Sequence, residues 1–113
     1  MKKIEAYIRP EKLEDLKDTL GKYDVNGMSL SQVMGCGNQK GWNKFVRGNE
    51  VDYNFLQKIK LELIVPDEQV EEIVDGVIDA ASTGEFGDGK IFIYDVSDAI
   101  RVRTKERGES ALR

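Results

Sequence analysis

The sequence predicts a single α+β domain whose elements follow one another as strand, helix, strand, strand, helix, strand. Two kinds of periodicity support this order. Short segments alternate apolar and polar residues, whereas two longer segments repeat apolar residues every three or four positions. Proline or glycine stands at most of the junctions, as expected where strands and helices end. The 113 residues suit one domain, because domains cluster at roughly 100–150 residues.

The chain opens with a strand that leads into a helix. Positions 4, 6 and 8 are apolar and their neighbours are polar or charged, the pattern of a half-buried strand. Pro10 ends this strand and can begin a helix, because an N–H in the first helical turn has no partner anyway. Gly21 then closes the helix. The apolar residues that define the two elements are Ile4, Ala6 and Ile8, then Leu13, Leu16 and Leu20.

The remaining elements are two strands, a helix and a last strand. The Asn26–Gly27 turn precedes a strand over 28–34, and a clearer strand spans 58–65. Pro66 ends that strand, and Asp67 is a candidate N-cap for the helix that follows. The apolar face of this helix comprises Val70, Ile73, Val74, Val77, Ile78 and Ala81. The last strand, 90–94, is apolar on both faces, which predicts a central position in the sheet. This order is that of a ferredoxin-like βαββαβ sandwich.

Composition limits the functions open to the chain. There are 17 Lys+Arg and 21 Asp+Glu, and the net charge of −4 disfavours a general nucleic-acid or membrane-surface binder. Histidine is absent and Cys36 is the one cysteine, which excludes histidine bases and ligands, disulfide frameworks and cysteine zinc clusters. A slow ATPase would need a carboxylate to orient water, and none is singled out, so we predict no catalytic residue and no enzyme. No apolar run approaches the roughly 18 residues of a membrane span, and Glu5 interrupts any signal peptide, so we expect a cytoplasmic protein without membrane insertion.

A long polar, glycine-rich segment separates the second and third predicted strands. It runs from about 35 to 57 and is longer than compact domains usually tolerate without a function. Its isolated aromatic residues favour an arm that docks on another protein, since exposed aromatic and arginine side chains are typical interface anchors. The alternative is a hairpin extension without a binding role. The candidate anchors are Trp42, Phe45, Arg47 and Tyr53.

Two glycine clusters and an arginine pair predict an anion site. The first cluster, 35–41, follows a strand and can form a nest of backbone N–H groups. In the second, 83–90, Gly87 and Gly89 allow close backbone approach to a ligand, and Lys90 adds a charge. The alternative there is a helix C-cap at Gly84 followed by an ordinary turn. Arg101 and Arg103 share one side of a segment predicted to be extended, where the alternative is a solvated tail. Together these features favour a site for nucleotide phosphates.

The sheet face away from the helices is predicted to be open. Tyr7, Arg9, Lys60 and Ile64 fall on it, and a partly apolar open face favours oligomerisation. Lys58 and Glu62 also share this face, four residues apart, and we expect them to form solvated cross-strand contacts.

The sequence resembles the PII family of nitrogen-regulatory signalling proteins over residues 1–112. The most specific match is Thr83-Gly84-x-x-Gly87-Asp88-Gly89-Lys90-Ile91-Phe92, which resembles the family's B-loop. Further matches lie at 1–6, Arg9-Pro10, 35–41, 47–48, 55–58 and 100–108. The resemblance implies one domain over 1–113, with a T-loop at about 36–57, the B-loop at about 82–90 and a C-terminal loop at about 98–113.

The resemblance implies a homotrimer that binds ATP or ADP competitively in clefts between subunits, with 2-oxoglutarate beside Mg²⁺-ATP. Implied phosphate contacts are Gly87, Asp88, Gly89, Lys90, Arg101 and Arg103. Implied sugar and base contacts are Ser29, Glu62 and Ile64. Implied nucleotide contacts where the chain enters the T-loop are Gly35, Cys36, Gly37, Asn38 and Gln39. Gln39 would also contact the metal. The implied 2-oxoglutarate contacts are Gly37, Gln39, Lys40, Gly41 and Lys58.

The resemblance also implies that the T-loop selects the partner. Family partners include an ammonium channel, glutamine-metabolism enzymes and transcription regulators, and Arg47 matches the arginine that plugs the channel pore. The tip departs from the family, because Val46 and Val51 stand where many relatives carry the tyrosines around the uridylylation site. Asn38 replaces an arginine that often reaches the terminal phosphate. The alternative function is therefore a constitutive interaction module with a weakened or ADP-only site and no 2-oxoglutarate response.

Overall fold

The computed structural model describes residues 1–25, 27–35 and 55–113, and these residues form a four-stranded antiparallel sheet with two helices on one face. The strands are β1 (Lys2–Ile8), β2 (Met28–Gly35), β3 (Leu56–Val65) and β4 (Lys90–Asp95), in the sheet order β2-β3-β1-β4. The helices are α1 (Leu13–Leu20) and α2 (Val70–Ala81). The predicted βαββαβ order is confirmed. Strand β3 begins at Leu56, so the last two positions assigned to the T-loop belong to a strand.

The core lies between the sheet and the helices. Strand β1 pairs with β3 so that Ala6 faces Leu61, and the alternate residues of both strands point to the helices. Within α2, Ile73 and Val77 are buried, whereas Ile78 is almost half exposed, so the core-facing stripe is narrower than the predicted apolar face. The buried apolar residues are Ile4, Ala6, Ile8, Leu16, Leu20, Ile59, Leu61, Leu63, Val65, Val70, Ile73, Val77 and Ala81.

Both helices are entered through a short 3₁₀ turn that contains or follows a proline. Pro10 starts the turn Pro10–Lys12 ahead of α1, and Gly21 is the C-cap of α1, as predicted. The prediction that Asp67 is an N-cap was wrong. Asp67 is the first residue of the turn Asp67–Gln69, and the N-cap of α2 is Gln69. The Asp67 carboxylate instead lies 3.0 Å from the α-amino group of Met1.

The prediction that the last strand is central was wrong, because β4 lies at one edge of the sheet formed by the described residues. Phe92, Ile93 and Tyr94 are 44–46% exposed, on both faces of the strand. An apolar run along a strand predicts burial on both faces, but it does not fix the position of that strand within its sheet. At the opposite edge, β2 exposes Met28, Leu30 and Met34.

The open face carries a network of charged residues. At its centre Glu5 is buried, with 8% of its side chain exposed, and its carboxylate lies 3.1 Å from Lys3 Nζ and 3.9 Å from Lys60 Nζ. The hydroxyls of Tyr7 and Tyr94 donate to the same carboxylate over 2.9 and 3.4 Å. The Lys3 ammonium is the main reason that the pKa of Glu5 lies below its usual range, although burial opposes this.

We predict that Glu5→Gln destabilises the protein at pH 7 and that this loss shrinks in acid. The folded-state pKa of Glu5 is lowered, so its contribution is present above the ordinary glutamate range and is lost as pH falls through the folded-state value. Urea unfolding of both proteins at equal concentration, at pH 7 and pH 3, measures the difference. The exposed Glu14→Gln is the control. A Glu5→Gln effect independent of pH would contradict the network.

Candidate functional site

The B-loop (82–90) joins α2 to β4 and is shaped by glycines with left-handed backbone angles. Helix α2 ends at Ala81 and its C-cap, Ser82, has an extended backbone, so the alternative of a C-cap at Gly84 is wrong. Gly84 and Gly89 have φ of +83° and +102°, a region that side chains disfavour. A Cβ on Gly89 would lie 1.7 Å from the Tyr7 carbonyl oxygen, so only glycine fits where the loop passes the end of β1.

The carboxylate of Asp88 is engaged inside the loop. Its Oδ2 accepts the backbone N–H groups of Thr83 and Gly84, each over 2.8 Å. Its Oδ1 accepts the Thr83 hydroxyl and, over 3.1 Å, the Arg9 Nε–H. These donors, led by Thr83, hold the pKa of Asp88 far below its usual range. Asp88 is a residue predicted to contact phosphate, but its carboxylate instead ties the loop together.

Two cations flank the B-loop at an open cavity of about 680 Å³. Lys58 is 9% exposed, and its Nζ donates to the Gly87 carbonyl oxygen. The Arg9 Nη2 group donates to the Phe86 carbonyl oxygen over 2.6 Å. Burial, and then the charge of Arg9, lowers the pKa of Lys58. The prediction that Lys58 makes a solvated cross-strand contact was wrong. The cavity is lined by Arg9, Leu56, Lys58, Gly84, Glu85, Phe86 and Gly87.

Ser29, Glu62 and Ile64, predicted to act together, do meet at a second cavity of about 240 Å³. Ser29 stands opposite Glu62 in the β2–β3 ladder, and Lys3 and Leu112 also line the cavity. The Glu62 carboxylate lies 3.0 Å from Lys60 Nζ and 3.3 Å from Lys3 Nζ. These two ammonium groups, Lys60 first, lower the pKa of Glu62.

The C-terminal loop is folded, so the alternative of a solvated tail is wrong. Ile100 pairs with Arg107, and Arg101 donates to a Glu106 carboxylate oxygen over 3.3 Å and to the Ala111 carbonyl oxygen over 3.5 Å. Residues 102–104 form a turn and not the extended segment that was predicted. Arg103 is exposed, and its side chain makes no hydrogen bond or ion pair within residues 1–25, 27–35 and 55–113.

The two groups of candidate residues lie at opposite edges of one sheet. Lys90 begins β4, whereas Ser29 belongs to β2. Three strand spacings separate these strands, which is about 14 Å. The Ser29 cavity also contains Ala111, which accepts from Arg101, so Arg101 belongs to the β2 side. One chain therefore does not bring Lys90 and Arg101 together around a small ligand.

Several predicted residues lie outside the described part of the chain, so their placement stays a prediction. They are Cys36, Gly37, Asn38, Gln39, Lys40, Gly41, Trp42, Phe45, Arg47 and Tyr53. Gly35 ends β2 opposite Leu56. Among the described residues, no group of three or more Asp, Glu, Cys or His side chains could hold a metal ion. No helix in these same ranges is long and apolar enough to cross a membrane.

Sequence reasoning missed the part that Arg9 plays in the site. In the order β2-β3-β1-β4, β1 and β4 are antiparallel neighbours, so the end of β1 meets the start of β4. A charged residue just after the first strand of a predicted ferredoxin-like fold is therefore expected beside the loop that precedes the last strand. That placement was the available signal for Arg9.

We predict that Gly89→Ala destabilises the protein by about 1–3 kcal/mol more than Gly84→Ala. Both positions have positive φ, so backbone strain is common to both variants. Only the Cβ at position 89 meets a backbone carbonyl, since no atom of the described residues, apart from the two chain neighbours, lies within 4 Å of a Cβ at position 84. Urea unfolding measures both free energies. Equal losses would show that the loop does not pack against β1 as described.

Comparison with known proteins identifies the family. A family model described as nitrogen regulatory protein P-II matches residues 1–106. The chain is 48% identical over 112 residues to a nitrogen regulatory protein P-II from Haemophilus influenzae and 46% identical to one from Pasteurella multocida. It is also 46% identical to nitrogen regulatory protein P-II 1 from Escherichia coli, and each alignment covers 99% of this chain and 100% of the relative. The chain, with its α+β sandwich and glycine-rich B-loop, belongs to the P-II family of nitrogen regulatory proteins.

Proposed function

We propose that this protein is a non-enzymatic sensor that binds ATP or ADP between the subunits of a homotrimer and responds to 2-oxoglutarate. The observation that carries the proposal is the B-loop. Its glycines hold left-handed conformations around the Asp88 carboxylate, and the Lys90 side chain is exposed and unpaired among the described residues. A glycine-rich backbone with an available cation is the chemistry that phosphate binding requires.

A cleft between copies follows from the positions of the two site halves. Lys90 lies at the β4 edge and Ser29 at the β2 edge, and both edges expose apolar side chains. Contact between the β4 edge of one copy and the β2 edge of the next is head-to-tail, and such contacts form closed rings when the rotation allows. This contact would cover the exposed apolar residues and would complete the site. The proposed number of three subunits comes from the family resemblance.

The phosphates of ATP or ADP would meet groups of both copies. One copy contributes the backbone of Gly87, Asp88 and Gly89 together with the Lys90 ammonium. The neighbour contributes Arg101 and Arg103, and its Ser29, Glu62 and Ile64 contact the sugar and base. Arg103 is free to turn toward phosphate, whereas Arg101 must first release Glu106. Asp88 contributes through its backbone, because its carboxylate is occupied and would repel phosphate.

The cavity beside Lys58 suits a small dicarboxylate such as 2-oxoglutarate. Lys58 and Arg9 place two positive charges on its wall against the one carboxylate of Glu85, and Leu56 and Phe86 add apolar surface. The proposal assigns Gln39 to the Mg²⁺ ion of bound ATP and the backbone of 37–41 to the acid. The acid and ATP would share the B-loop, because Lys58 donates to Gly87. Mg²⁺ would screen the phosphate charge next to the acid.

The T-loop is the proposed output. It leaves β2 after Gly35 and returns at β3, directly beside the cavity assigned to 2-oxoglutarate. A ligand shifts such a segment only if it binds the segment's conformers with different affinities. The proposed partners are an ammonium channel, a glutamine-metabolism enzyme or a transcription regulator, with Trp42, Phe45, Arg47 and Tyr53 as contacts. No direct contact with nucleic acid is proposed.

We predict that Lys90→Ala weakens ADP binding by about 10- to 150-fold, because a charged hydrogen bond contributes about 1.5–3 kcal/mol. Isothermal titration calorimetry with ADP measures the change. Lys22→Ala is the control, because Lys22 is also exposed and lies outside both candidate cavities. Unchanged ADP affinity in folded Lys90→Ala would contradict the site, and absence of ADP and ATP binding by the wild type would favour the constitutive interaction module.

We predict that 2-oxoglutarate strengthens Mg²⁺-ATP binding in the wild type and that Lys58→Gln abolishes this response. Glutamine removes the charge and retains a hydrogen-bond donor on a side chain one bond shorter. Calorimetric titration of ATP with and without the acid measures the coupling, and ADP affinity serves as the internal control. If Lys58→Gln keeps the response, the acid binds elsewhere; a wild type without any response would leave an adenylate sensor only.

A further inference from the structure

Arg9 makes a set of contacts that the proposed ligand roles do not explain. Its Nε–H donates to Asp88 Oδ1 over 3.1 Å, and its Nη2 group donates to the Phe86 carbonyl oxygen over 2.6 Å. The remaining nitrogen, Nη1, lies 3.9 Å from Glu11. The side chain is three-quarters buried. The Arg9 guanidinium thus donates hydrogen bonds to two different residues of the B-loop.

Asp88, near the end of the loop, is hydrogen-bonded to residues near its start. Its second oxygen accepts the N–H groups of Thr83 and Gly84, and the Thr83 hydroxyl donates to the oxygen that Arg9 also contacts. Through Asp88, Arg9 directly after β1 is therefore connected to Thr83 near the start of the loop. We call these three residues the clamp.

The clamp restricts the backbone freedom that a glycine-rich loop otherwise has. Gly84, Gly87 and Gly89 give the segment wide backbone freedom, and a ligand that orders a free loop loses affinity by the entropy of that ordering. A loop that is already ordered avoids this loss on binding. The clamp holds the loop through the Asp88 carboxylate and the Arg9 guanidinium, and it leaves the Lys90 side chain available to a ligand.

We propose that Arg9, Thr83 and Asp88 are positioning residues, whose side chains preorganise the B-loop for phosphate without touching the nucleotide. This inference rests on the proposed nucleotide site and extends it to three side chains. An arginine suits the role better than a lysine, because its fork donates to a carboxylate and a carbonyl simultaneously in a fixed geometry. A threonine suits its position because its backbone N–H and its hydroxyl both reach Asp88.

The test is a double-mutant cycle on ADP affinity, with Arg9→Gln, Asp88→Asn and the double variant titrated by calorimetry. Mg²⁺ and 2-oxoglutarate are left out, so that the cavity beside Lys58 does not contribute. Each single variant is expected to weaken ADP binding about tenfold or more, and the double variant is expected to bind no worse than the weaker single variant, because the two side chains act as one unit. Additive losses, or wild-type affinity in Arg9→Gln, would overturn the clamp.

Two controls keep this test independent of folding. Thr83→Ser retains the hydroxyl and is expected to bind ADP like the wild type, whereas the isosteric Thr83→Val removes the hydroxyl and is expected to bind severalfold more weakly. Amide hydrogen exchange at Thr83 and Gly84 without nucleotide should be slow in the wild type and at least tenfold faster in Arg9→Gln. If the wild type does not bind ADP, both the proposed function and the clamp are contradicted. If the wild type binds and exchange at these amides is unchanged in Arg9→Gln, the clamp alone is wrong.

Discussion

The antiparallel pairing of β1 with both β3 and β4 is the constraint on which the rest of the structure depends. It buries alternate residues of β1, such as Ile4 and Ala6, against the helices, and so builds the core. It also brings the end of β1, the beginning of β3 and the B-loop to one end of the sheet, where Arg9 and Lys58 reach the loop. The same order places β2 and β4 at opposite edges, which separates Ser29 from Lys90.

Several candidate binding groups among the described residues already have partners within the chain. Lys58 donates to Gly87, Arg101 contacts Glu106, and Glu62 lies against two lysines. A ligand anion must replace these contacts, so its net gain is the difference between the new and the old hydrogen bonds. Lys90 and Arg103 carry no such cost within the described residues, and we therefore expect them to supply the first attraction for phosphate.

The spacing of apolar residues predicted the helices, the strands and their order, because an element that buries one face repeats its apolar residues with its own period. It misplaced β4, because an apolar residue such as Phe92 avoids water equally well against its own chain or against another copy. Asp67 matched an N-cap pattern but pairs with the α-amino group of Met1, a contact between segments distant in sequence. The clamp was missed for the same reason, since 79 positions separate Arg9 from Asp88. The family resemblance, in contrast, found Ser29, Glu62 and Ile64 together, as the structure does.

The most direct test of a site shared between copies is complementation between two defective chains. Lys90→Ala removes a group from the β4 side and Arg103→Ala removes one from the C-terminal loop, so each variant alone should bind ADP weakly. When the two are unfolded and refolded together, random assembly should restore wild-type affinity in about one quarter of the clefts, because those clefts take each residue from an intact chain. Calorimetry that detects this tight fraction would support the account. A refolded mixture of normal oligomeric size with no tight sites would contradict it, because Lys90 and Arg103 would then act within one chain.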